Sequence, residues 1–507
     1  MKNMKLLFVF LFSVVLFSCT KLDEEFNSEL EENNSATITA DQLLTSAYNG
    51  LNGPFQTGDF WHIQEHTSDE LIAPTRGPDW DDNGQWRALH AHTWNADQGQ
   101  IRGAFNGLLG IQFSASNVLQ FNPSAQQAAE ARFIRALSMF ATLDGYDQVP
   151  YREDLSDYKK LPETLQGTAC ADFIIAELND IMGDLPSTGP AYVANQDAAK
   201  VLLMKLYLNK GVYANRASPS FDAADMTQVI TLADQIISSN KYSLDDNYYD
   251  NFAPNNSDIS SENIFTLYNQ NGDRGGGVQN TTYQINHYNM NPSGWNGFAT
   301  LSDFYDKFES TDKRLGTDYD YPGALPNPGN RRVVGFLIGQ QYNLTTDEAL
   351  EDRKGNALSF TREVALRETG NNLEITGIRV NKYPFDYGSS GDQKNNDWAL
   401  FRYADVLLMK AEAELRSGAG DAKTIINDIR NKRGATALTA DPTLQDVLDE
   451  RGRELYWEGW RRQDLIRFGK FLEPWQEKES DDPKNLVFPI PSDQLAVNPN
   501  LTQNPGY

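Results

Sequence analysis

The sequence feature that most restricts the fold is a series of segments in which apolar residues recur three and four positions apart, the spacing of amphipathic helices. In residues 39–53, Leu44, Ala47, Tyr48 and Leu51 share one helical face, and a glycine ends the segment. Comparable patterns cover residues 103–121, 124–146, 168–186, 195–214, 226–242, 397–418, 420–434 and 443–471. The sequence therefore predicts a mostly α-helical fold, with its helical scaffold at about 37–240 and 397–470.

Several helical segments form adjacent pairs, with small residues where two helices would cross. Ala198 and Ala199 lie in one pair, and Ala404 and Ala411 lie in another. The pair at 398–434 has nearly the length of a tetratricopeptide repeat, about 34 residues. We interpret the pairs as tetratricopeptide-like helical hairpins of an interrupted solenoid. The alternative is an α-helical protein with ordinary antiparallel hairpins, and in either case residues 37–507 are expected to form a single domain.

Two regions lack helical periodicity, at about 55–95 and 240–396. The second region is rich in Asn, Gly, Tyr and Ser, and short β-prone runs occur in it at residues 263–268, 332–339 and 374–380. Long loops inside a compact protein usually carry function, because the scaffold does not need them. We therefore expect the two regions to form a loop-rich ligand-binding face with short strands.

The N-terminal residues have the pattern of an export signal. Lys2 and Lys5 precede the apolar run 6–17, which is too short to span a bilayer. The run leads into Leu-Phe-Ser-Cys, which resembles the lipobox of bacterial lipoproteins. We therefore predict a signal peptide at residues 1–18, lipidation of Cys19, and a lipidated flexible spacer at residues 19–36. The mature chain would then contact the membrane through its lipid anchor only. Cys170 lies in an apolar helical pattern and is expected to be buried.

Residues 76–94 combine tryptophans, carboxylates and histidines, and two metals are possible there. The opening spacing of an EF-hand calcium loop is supplied by Asp79, Asp81, Asn83 and Gly84. Position 12 of that loop would be His90, a poor ligand for calcium. Zinc would need His90 and His92 on one side of a strand, with further ligands such as His62 and His66. Neither metal is favoured, and we predict no metal and no cofactor.

A sugar platform accounts for more of this stretch. Aromatic rings stack on the apolar face of a sugar ring, and charged or amide side chains bond its hydroxyls. Acidic and proline neighbours make complete burial of Trp80 costly. The predicted ligand-binding residues are Asp69, Arg76, Trp80, Trp86, Trp295 and Asn296. If the platform lies elsewhere, its candidates are Tyr283, Tyr288 and Tyr387. Trp61 and Trp94 are expected in the core.

Net charge narrows the possible partners. A formal charge of −26 disfavours binding to nucleic acid, so no nucleic-acid partner is expected. A glycoside hydrolase needs two catalytic carboxylates, but a chain with 70 Asp and Glu residues offers such pairs everywhere. The sequence contains neither a G-x-S-x-G element nor a phosphate-binding loop. Composition therefore gives no sign of catalysis.

The chain resembles the SusD/RagB family of Gram-negative surface lipoproteins across nearly its whole length. The matching stretches occur in the family's order at Cys19 and at residues 40–51, 130–154, 198–211, 400–415 with 426–434, 450–471 and 487–507. The last three stretches are the most specific. Matched by position, the family's aromatic platform falls on Trp80 and Trp86 in the early loop and on Trp295 in the later one.

The resemblance implies a fold with four tetratricopeptide-like helical hairpins and a function without catalysis. It implies that the chain is anchored in the cell outer membrane, faces the extracellular side, and captures an oligosaccharide or polysaccharide ligand. It also implies a partner, a SusC-like TonB-dependent outer-membrane transporter that receives the oligosaccharide. The acidic charge favours a neutral glycan, with a laminarin-like β-glucan as the first candidate and levan as the second. The alternatives are a secreted glycan hydrolase and a peptide-binding lipoprotein of the same family.

Overall fold

Helices dominate the described part of the chain, which comprises residues 38–153, 155, 157, 159–391 and 393–507 of a computed structural model. Residues Ala40–Tyr507 form one compact unit. The predicted signal peptide, Cys19 and the spacer at 19–36 lie outside the described residues. Among the described helices, none combines the length and the apolar character needed to cross a membrane.

The N-terminal half of the scaffold is a series of stacked helices. They are α1 (Ala40–Phe55), α2 (Asp59–His66), α3 (Gln85–His90), α4 (Gly99–Val118), α5 (Ala125–Tyr146), α6 (Gly167–Ile181), α7 (Gln196–Ala214) and α8 (Ala223–Ser238). Helix α4 packs on α1, and from α4 to α8 each helix packs on the next. This continuous stacking is compatible with the predicted tetratricopeptide-like hairpins.

Local sequence sets the ends and the spacing of these helices. Ser124 and Gln127 form a reciprocal capping box at the start of α5, which satisfies two backbone N–H groups. Asn195 caps α7 by accepting a hydrogen bond from Ala198 N at 2.9 Å. Gly211 in α7 allows the chain to pass closely, because a Cβ there would lie 1.7 Å from the backbone oxygen of Ser220.

Short helices and strands interrupt the loop-rich region. The helices are α9 (Asn256–Ile259), α10 (Asn280–Ile285) and α11 (Ser302–Tyr305). The strands of the described chain are β1 (Gln148–Tyr151), β2 (Glu163–Gln166), β3 (Asn263–Leu267), β4 (Gly335–Leu337), β5 (Gly339–Gln340), β6 (Ser359–Phe360), β7 (Arg379–Asn381) and β8 (Trp398–Arg402). They form antiparallel pairs, β1 with β2, β3 with β8, β4 with β7 and β5 with β6.

The C-terminal helices complete the scaffold. They are α12 (Tyr403–Ser417), α13 (Ala422–Lys432), α14 (Leu444–Leu455), α15 (Arg461–Arg467) and α16 (Ser492–Val497). Helix α12 packs against α8, α13 and α14, so it joins the two halves of the scaffold. A buried ion pair reinforces the junction, since Lys205 of α7 contacts Asp405 of α12 at 2.6 Å. Within the C-terminal half, Arg402 and Arg433 both contact Glu454, at 3.1 and 2.9 Å. In the core, Trp61 packs edge-to-face on Trp398 and Trp457.

The mostly helical prediction is confirmed, and the β-prone runs are confirmed in part. The run at 263–268 contains β3, and the run at 332–339 contains β4 and the start of β5. The prediction fails for most of the run at 374–380, where residues 373–375 form a 3-10 turn and only the end reaches β7. His90 and His92 do not lie on a strand, since His90 ends α3. Trp61, Trp94 and Cys170 are buried, as predicted.

Candidate functional site

The loop that precedes α3 has a strained backbone. Gly77, Trp80, Asp82 and Asn83 have φ values of 69°, 60°, 38° and 54°. Only glycine adopts this region without steric cost, and strained residues of other types cluster at functional sites. The loop therefore holds the backbone of Trp80 in a conformation that residues other than glycine seldom adopt.

Trp80 is half-buried and lies against the loop that contains Trp295. Its indole Nε1 donates a hydrogen bond to the backbone oxygen of Trp295 at 2.8 Å. Its ring centroid lies 4.9 Å from that of Phe298. Gly297 makes room for this ring, because a Cβ there would lie 2.3 Å from Trp80 Cζ2. The structure thus brings together the two loops, which are distant in sequence.

Trp295 is the exposed tryptophan of the predicted set, with 47% of its surface accessible to solvent. Its ring centroid lies 5.7 Å from that of Tyr283, and its backbone N–H donates to the Tyr283 carbonyl oxygen at 2.6 Å. An exposed indole costs hydrophobic free energy that a folded protein normally recovers by burial. Trp295 is therefore the tryptophan of the predicted set whose ring remains most accessible from solvent.

Trp86 does not offer such a face, because only 8% of it is exposed. Its ring centroid lies 4.8 Å from that of His66 and 5.1 Å from that of His62. Its Nε1 donates to Asp82 Oδ2 at 2.7 Å. Trp86 also packs against Trp80, with 6.0 Å between the ring centroids. Contrary to the prediction of direct stacking, the structure makes Trp86 an internal support for Trp80.

Arg76 and Asn296, predicted as hydroxyl partners, use their polar atoms inside the protein. Arg76 Nη1 donates to the carbonyl oxygens of Asn296 and Gly297, each at 2.7 Å, and Nη2 donates to that of Thr376 at 2.7 Å. The Asn296 amide accepts from Arg379 Nη2 at 2.9 Å. Burial lowers the pKa of Arg76 to about 10, so it remains charged at neutral pH. These residues fix the loop around Trp295.

Asp69 is committed to the scaffold. Its carboxylate accepts two hydrogen bonds from the Arg461 guanidinium, at 2.6 and 2.8 Å. Burial alone would raise the pKa of Asp69, but the charge of Arg461 lowers it below the ordinary value. Both carboxylate oxygens are thus bonded by Arg461, and only 14% of the Asp69 side chain is exposed, so the structure assigns this residue to the scaffold rather than to the predicted hydroxyl contact.

A group of polar residues lies beside Trp80. The sequence did not predict these residues as a group. Tyr288 donates to Asp79 Oδ2 at 2.8 Å, and the Arg353 guanidinium lies 3.9 Å from the centre of the Tyr288 ring. Arg353 also pairs with Asp79 at 3.2 Å and with Glu374 at 2.7 Å. Burial and the bond to Asp79 raise the pKa of Tyr288 to about 12. Arg353 and Glu374 carry no motif, so only folding identifies them.

A cleft of about 420 Å³ opens in the loop-rich region. Its walls include Asn286, Asn289, Asn291, Asn330, Asn343, Asn381, Gln340, Gln341, Tyr305, Tyr321, Tyr342, Tyr387 and Phe385, together with apolar residues and two arginines. The volume lies in the ordinary range for small-ligand sites, about 300–1,000 Å³. Of the predicted alternative platform residues, Tyr387 lines this cleft.

The histidines and acids of the early loop have protein partners. The two ring nitrogens of His90 each lie 3.1 Å from a carbonyl oxygen, Nδ1 from that of Leu71 and Nε2 from that of Gln476. His92 Nδ1 contacts Asp481 Oδ2 at 2.6 Å. Asp81 pairs with an arginine of α3 at 2.9 Å. Within the part of the chain that the structure describes, no group of three or more His, Cys, Asp or Glu side chains is arranged to hold a metal ion.

Comparison with known proteins gives one family and one fold. The family model described as the SusD family matches residues 230–507. The starch-binding protein SusD of Bacteroides thetaiotaomicron is 28% identical over 420 residues, which cover 75% of this chain and 73% of that protein.

Two solved structures share the fold. A SusD superfamily protein of Parabacteroides distasonis superposes with a TM-score of 0.71 at 19% identity, covering 92% of this chain and 98% of that one. Surface glycan-binding protein A of Bacteroides thetaiotaomicron, solved in complex with laminarihexaose, gives a TM-score of 0.66 at 18% identity, with 92% and 98% covered.

Proposed function

This chain belongs to the SusD family, and we propose that it is a cell-surface lipoprotein that captures oligosaccharides from a polysaccharide. The observation that carries the proposal is the exposed Trp295, which lies next to Tyr283 and is hydrogen-bonded through its carbonyl oxygen to Trp80. Rigid aromatic side chains at the surface supply a large contact area at a low entropic cost. They match the apolar face of a sugar ring.

The polar rim complements this aromatic surface. Asp79, Tyr288 and Arg353 are partly exposed and already hydrogen-bonded to one another, so they are preorganised. Preorganised groups lose little entropy when a ligand binds. Hydroxyl groups of a sugar that stacks on Trp295 or Trp80 would find donors and acceptors in this rim.

We propose a neutral glycan, with a laminarin-like β-glucan first and levan second. The formal charge of −26 supports a neutral ligand, because like charges repel a polyanion. The fold-related protein solved with laminarihexaose and the relative named for starch binding make β-glucan and starch the natural first members of a test panel.

The proposed cellular role is delivery to a SusC-like TonB-dependent transporter in the outer membrane. Family membership supports this partner, and the lipobox at Cys19 supports a lipid anchor that faces the extracellular side. Co-purification of the chain with a transporter of this class from solubilised outer membranes tests the partnership. Recovery of the chain without any such transporter from mildly solubilised outer membranes would contradict the partnership.

The proposed role includes no catalysis. Of the carboxylates beside Trp80, Asp79 is bonded by Tyr288 and paired with Arg353, and Arg353 also pairs with Glu374. A glycan hydrolase needs one protonated and one ionised carboxyl group free to act on the glycosidic bond. Burial alone would raise the pKa of Glu374, but its hydrogen bonds, including those from Arg353, lower it. The oxygens of Asp79 are occupied by Tyr288 and Arg353, so binding is the better interpretation.

The decisive experiment combines affinity-gel retardation with an assay for new reducing ends, on laminarin, levan, starch and an acidic polysaccharide. We expect retardation by a neutral glycan, no release of reducing ends, and loss of retardation in Trp295→Ala. Phe113→Ala is the matched control, since Phe113 is 61% exposed and lies on α4 of the scaffold. Release of reducing ends by the purified chain would favour the hydrolase, and binding to peptides but to no glycan would favour a peptide-binding lipoprotein.

A further inference from the structure

An aromatic path leads from the exposed tryptophan to the cleft. The ring centroid of Tyr283 lies 5.7 Å from that of Trp295 and 5.8 Å from that of Phe385. The Phe385 centroid lies 5.0 Å from that of Tyr387, and both residues line the cleft. Tyr387 also donates to the carbonyl oxygen of Asn291, another lining residue, at 2.6 Å. The platform and the cleft therefore share one continuous surface of rings.

The cleft has an unusual composition for this acidic chain. None of the described residues that line it is Asp or Glu, whereas the whole chain contains 70 of them. Apart from Thr282 and two arginines, the polar side chains that line it are amides and phenols. Several of them donate to backbone carbonyls, as Asn381 Nδ2 does to Val333 at 2.6 Å, and keep an oxygen that can accept a further hydrogen bond. An ionised carboxylate in a cleft loses hydration when a neutral ligand covers it, and this loss is costly. Amides and phenols lose less, and amides both donate to and accept from hydroxyl groups.

The two arginines of the cleft are already engaged. Arg331 stacks on Tyr342, with 3.5 Å from its guanidinium carbon to the ring centre, and it pairs with Asp347 at 2.7 Å. Arg332 donates to the carbonyl oxygen of Phe336 at 2.8 Å. The pairing with Asp347 neutralises the charge of Arg331, which leaves its flat guanidinium as part of the wall. Charge recognition of an anionic ligand would therefore rest on Arg332 alone.

A neighbouring hollow of about 290 Å³ shares Tyr321, Leu344 and Tyr387 with the cleft. Its other lining residues include Asp318 and Asp320, both of which are exposed. A carboxylate or sulfate on a ligand that extends from the cleft into this hollow would meet like charge. The surroundings of the cleft therefore also select against an anionic ligand.

We propose that this cleft is a second sugar subsite, which receives one end of a neutral oligosaccharide whose other part stacks on Trp295. The inference rests on the proposed glycan-binding function and adds that recognition extends along the aromatic path. Its direct consequence is that affinity depends on chain length. A short oligosaccharide occupies the platform, and a longer one gains contacts with the amide and phenol groups of the cleft.

The test is calorimetric titration of the whole mature chain with laminari-oligosaccharides and malto-oligosaccharides of three and six sugar units. Leu344→Trp fills the cleft without removing a polar contact, and Tyr342→Ala opens its wall. We expect each variant to weaken binding of the longer oligosaccharide about tenfold or more and to leave the shorter one unchanged. Trp295→Ala should weaken both lengths. Phe113→Ala, on the scaffold, should change neither.

Three results would overturn the inference, and they have different meanings. If Leu344→Trp melts like wild type and binds the longer oligosaccharide equally well while Trp295→Ala loses it, the cleft is not a subsite and the platform stands. If Leu344→Trp leaves both neutral series unchanged but weakens binding of a uronate oligosaccharide of six units, titrated in parallel, the cleft selects anions instead. If wild type binds no saccharide of the polysaccharide panel, the glycan-binding function itself fails, and the subsite fails with it.

Discussion

At the scale of single residues, the environment divides chemically identical side chains into different roles. The sequence predicts Trp80, Trp86 and Trp295 all in loops marked by glycine or proline, but Trp86 lies in α3, and 47% of Trp295 and only 8% of Trp86 is exposed. Trp80 lies between them in exposure, and its backbone is held at positive φ. Burial of Trp86 stabilises the fold, whereas the exposed Trp295 remains accessible for the ligand contact that we propose.

Replacing each of these two tryptophans by alanine separates the roles. We expect Trp86→Ala to lower the free energy of unfolding by about 3–5 kcal/mol, because it leaves a cavity beside two buried histidines. Trp295→Ala should change that free energy by less than about 0.5 kcal/mol but weaken glycan binding by about 1–3 kcal/mol. Urea denaturation and titration calorimetry give the two quantities. If the Trp86→Ala variant has native stability but has lost its affinity for the glycan, Trp86 belongs to the binding surface.

Asp69→Asn tests the reassignment of this residue to the scaffold. The change removes the ion pair that Arg461 makes at 2.6 Å and leaves this buried guanidinium with more distant charges such as Glu70, at 3.9 Å, so we expect a loss of about 3–5 kcal/mol in unfolding free energy at pH 7. The folded pKa of Asp69 is depressed, so its stabilising effect is complete above the unfolded pKa of about 3.9 and is lost as the pH falls through the folded value.

The difference in stability between wild type and Asp69→Asn should therefore shrink in acid, when measured by urea denaturation from pH 7 to pH 3. Asp41→Asn serves as the control, because Asp41 is exposed in the first turn of α1. If Asp69→Asn has unchanged stability but binds the glycan more weakly, Asp69 contacts the ligand.

At the scale of elements, buried polar groups tie α2 to the segment between α14 and α15. Glu65 at the end of α2 accepts from the backbone N–H of Gly459 at 2.6 Å, and Glu70 accepts from that of Trp457 at 3.0 Å. These contacts join the loop-bearing N-terminal region to the C-terminal scaffold. The burial of Trp457 and Trp460 in this segment indicates that its role is mainly structural.

Trp460→Ala measures how strongly this segment holds the scaffold. The indole is 7% exposed, and Lys205 Nζ lies 3.5 Å from its ring centre. We expect a loss of about 3–5 kcal/mol in unfolding free energy, from the cavity and the lost cation–π contact. Thermal melting and urea denaturation provide the measurement, with Trp460→Phe as a milder control. Native stability with abolished ligand binding would instead show that Trp460 acts in the site.

The carboxyl pair formed by Glu65 and Glu70 predicts a stability that declines in alkali. Burial raises the pKa of Glu65 to about 8, and burial together with the neighbouring Glu65 raises that of Glu70. The folded state therefore holds a proton more tightly than the unfolded chain. This contribution is complete below the unfolded pKa of about 4.3 and is lost as the pH rises through about 8.

Glu65→Gln removes this titration while keeping a side-chain oxygen for Gly459. The melting temperature of the variant, relative to wild type, should rise between pH 5 and pH 9. The same change at Glu163, an exposed position on β2, should give a difference that does not vary with pH. A constant difference for Glu65→Gln would mean that this carboxyl group does not exchange its proton in that range.

At the scale of the whole molecule, a helical scaffold carries a loop-rich face on which the Trp295 surface and the cleft are continuous. The scaffold helices pack in series, and α12 joins their N-terminal and C-terminal parts. The formal charge of −26 makes the whole chain repel polyanions, in keeping with a neutral ligand. Anchoring at the membrane would leave this face free to meet a polymer outside the cell.

Cys19→Ala tests the anchor in the whole protein. We expect the variant to leave the membrane fraction and appear in soluble fractions, because several acyl chains on one residue hold a protein stably whereas none can after the change. Fractionation and surface labelling of cells provide the measurement, and Cys170→Ala is the control, since Cys170 is buried in α6. A Cys19→Ala protein that stays membrane-bound and surface-exposed would contradict lipidation at this site.

The sequence by itself determined the helical scaffold and the family. Helices depend on contacts three and four residues apart, so their apolar pattern and their caps, such as Ser124 with Gln127, are visible in the sequence. The family likeness depends on whole stretches rather than on single side chains, and it is confirmed over residues 230–507. The early loop and the region 240–396 also meet in space, as expected from their composition.

The tertiary structure alone decided which residues of those loops are buried and which remain exposed to solvent. Asp69 pairs with Arg461, 392 positions away, and Arg353 joins Asp79 from 274 positions away. No local pattern encodes such partners, because a side chain's burial and charge environment are set by whatever packs against it in the folded chain. The cleft could not be predicted from the sequence for the same reason, because its walls come from segments between residues 282 and 387 that share no motif.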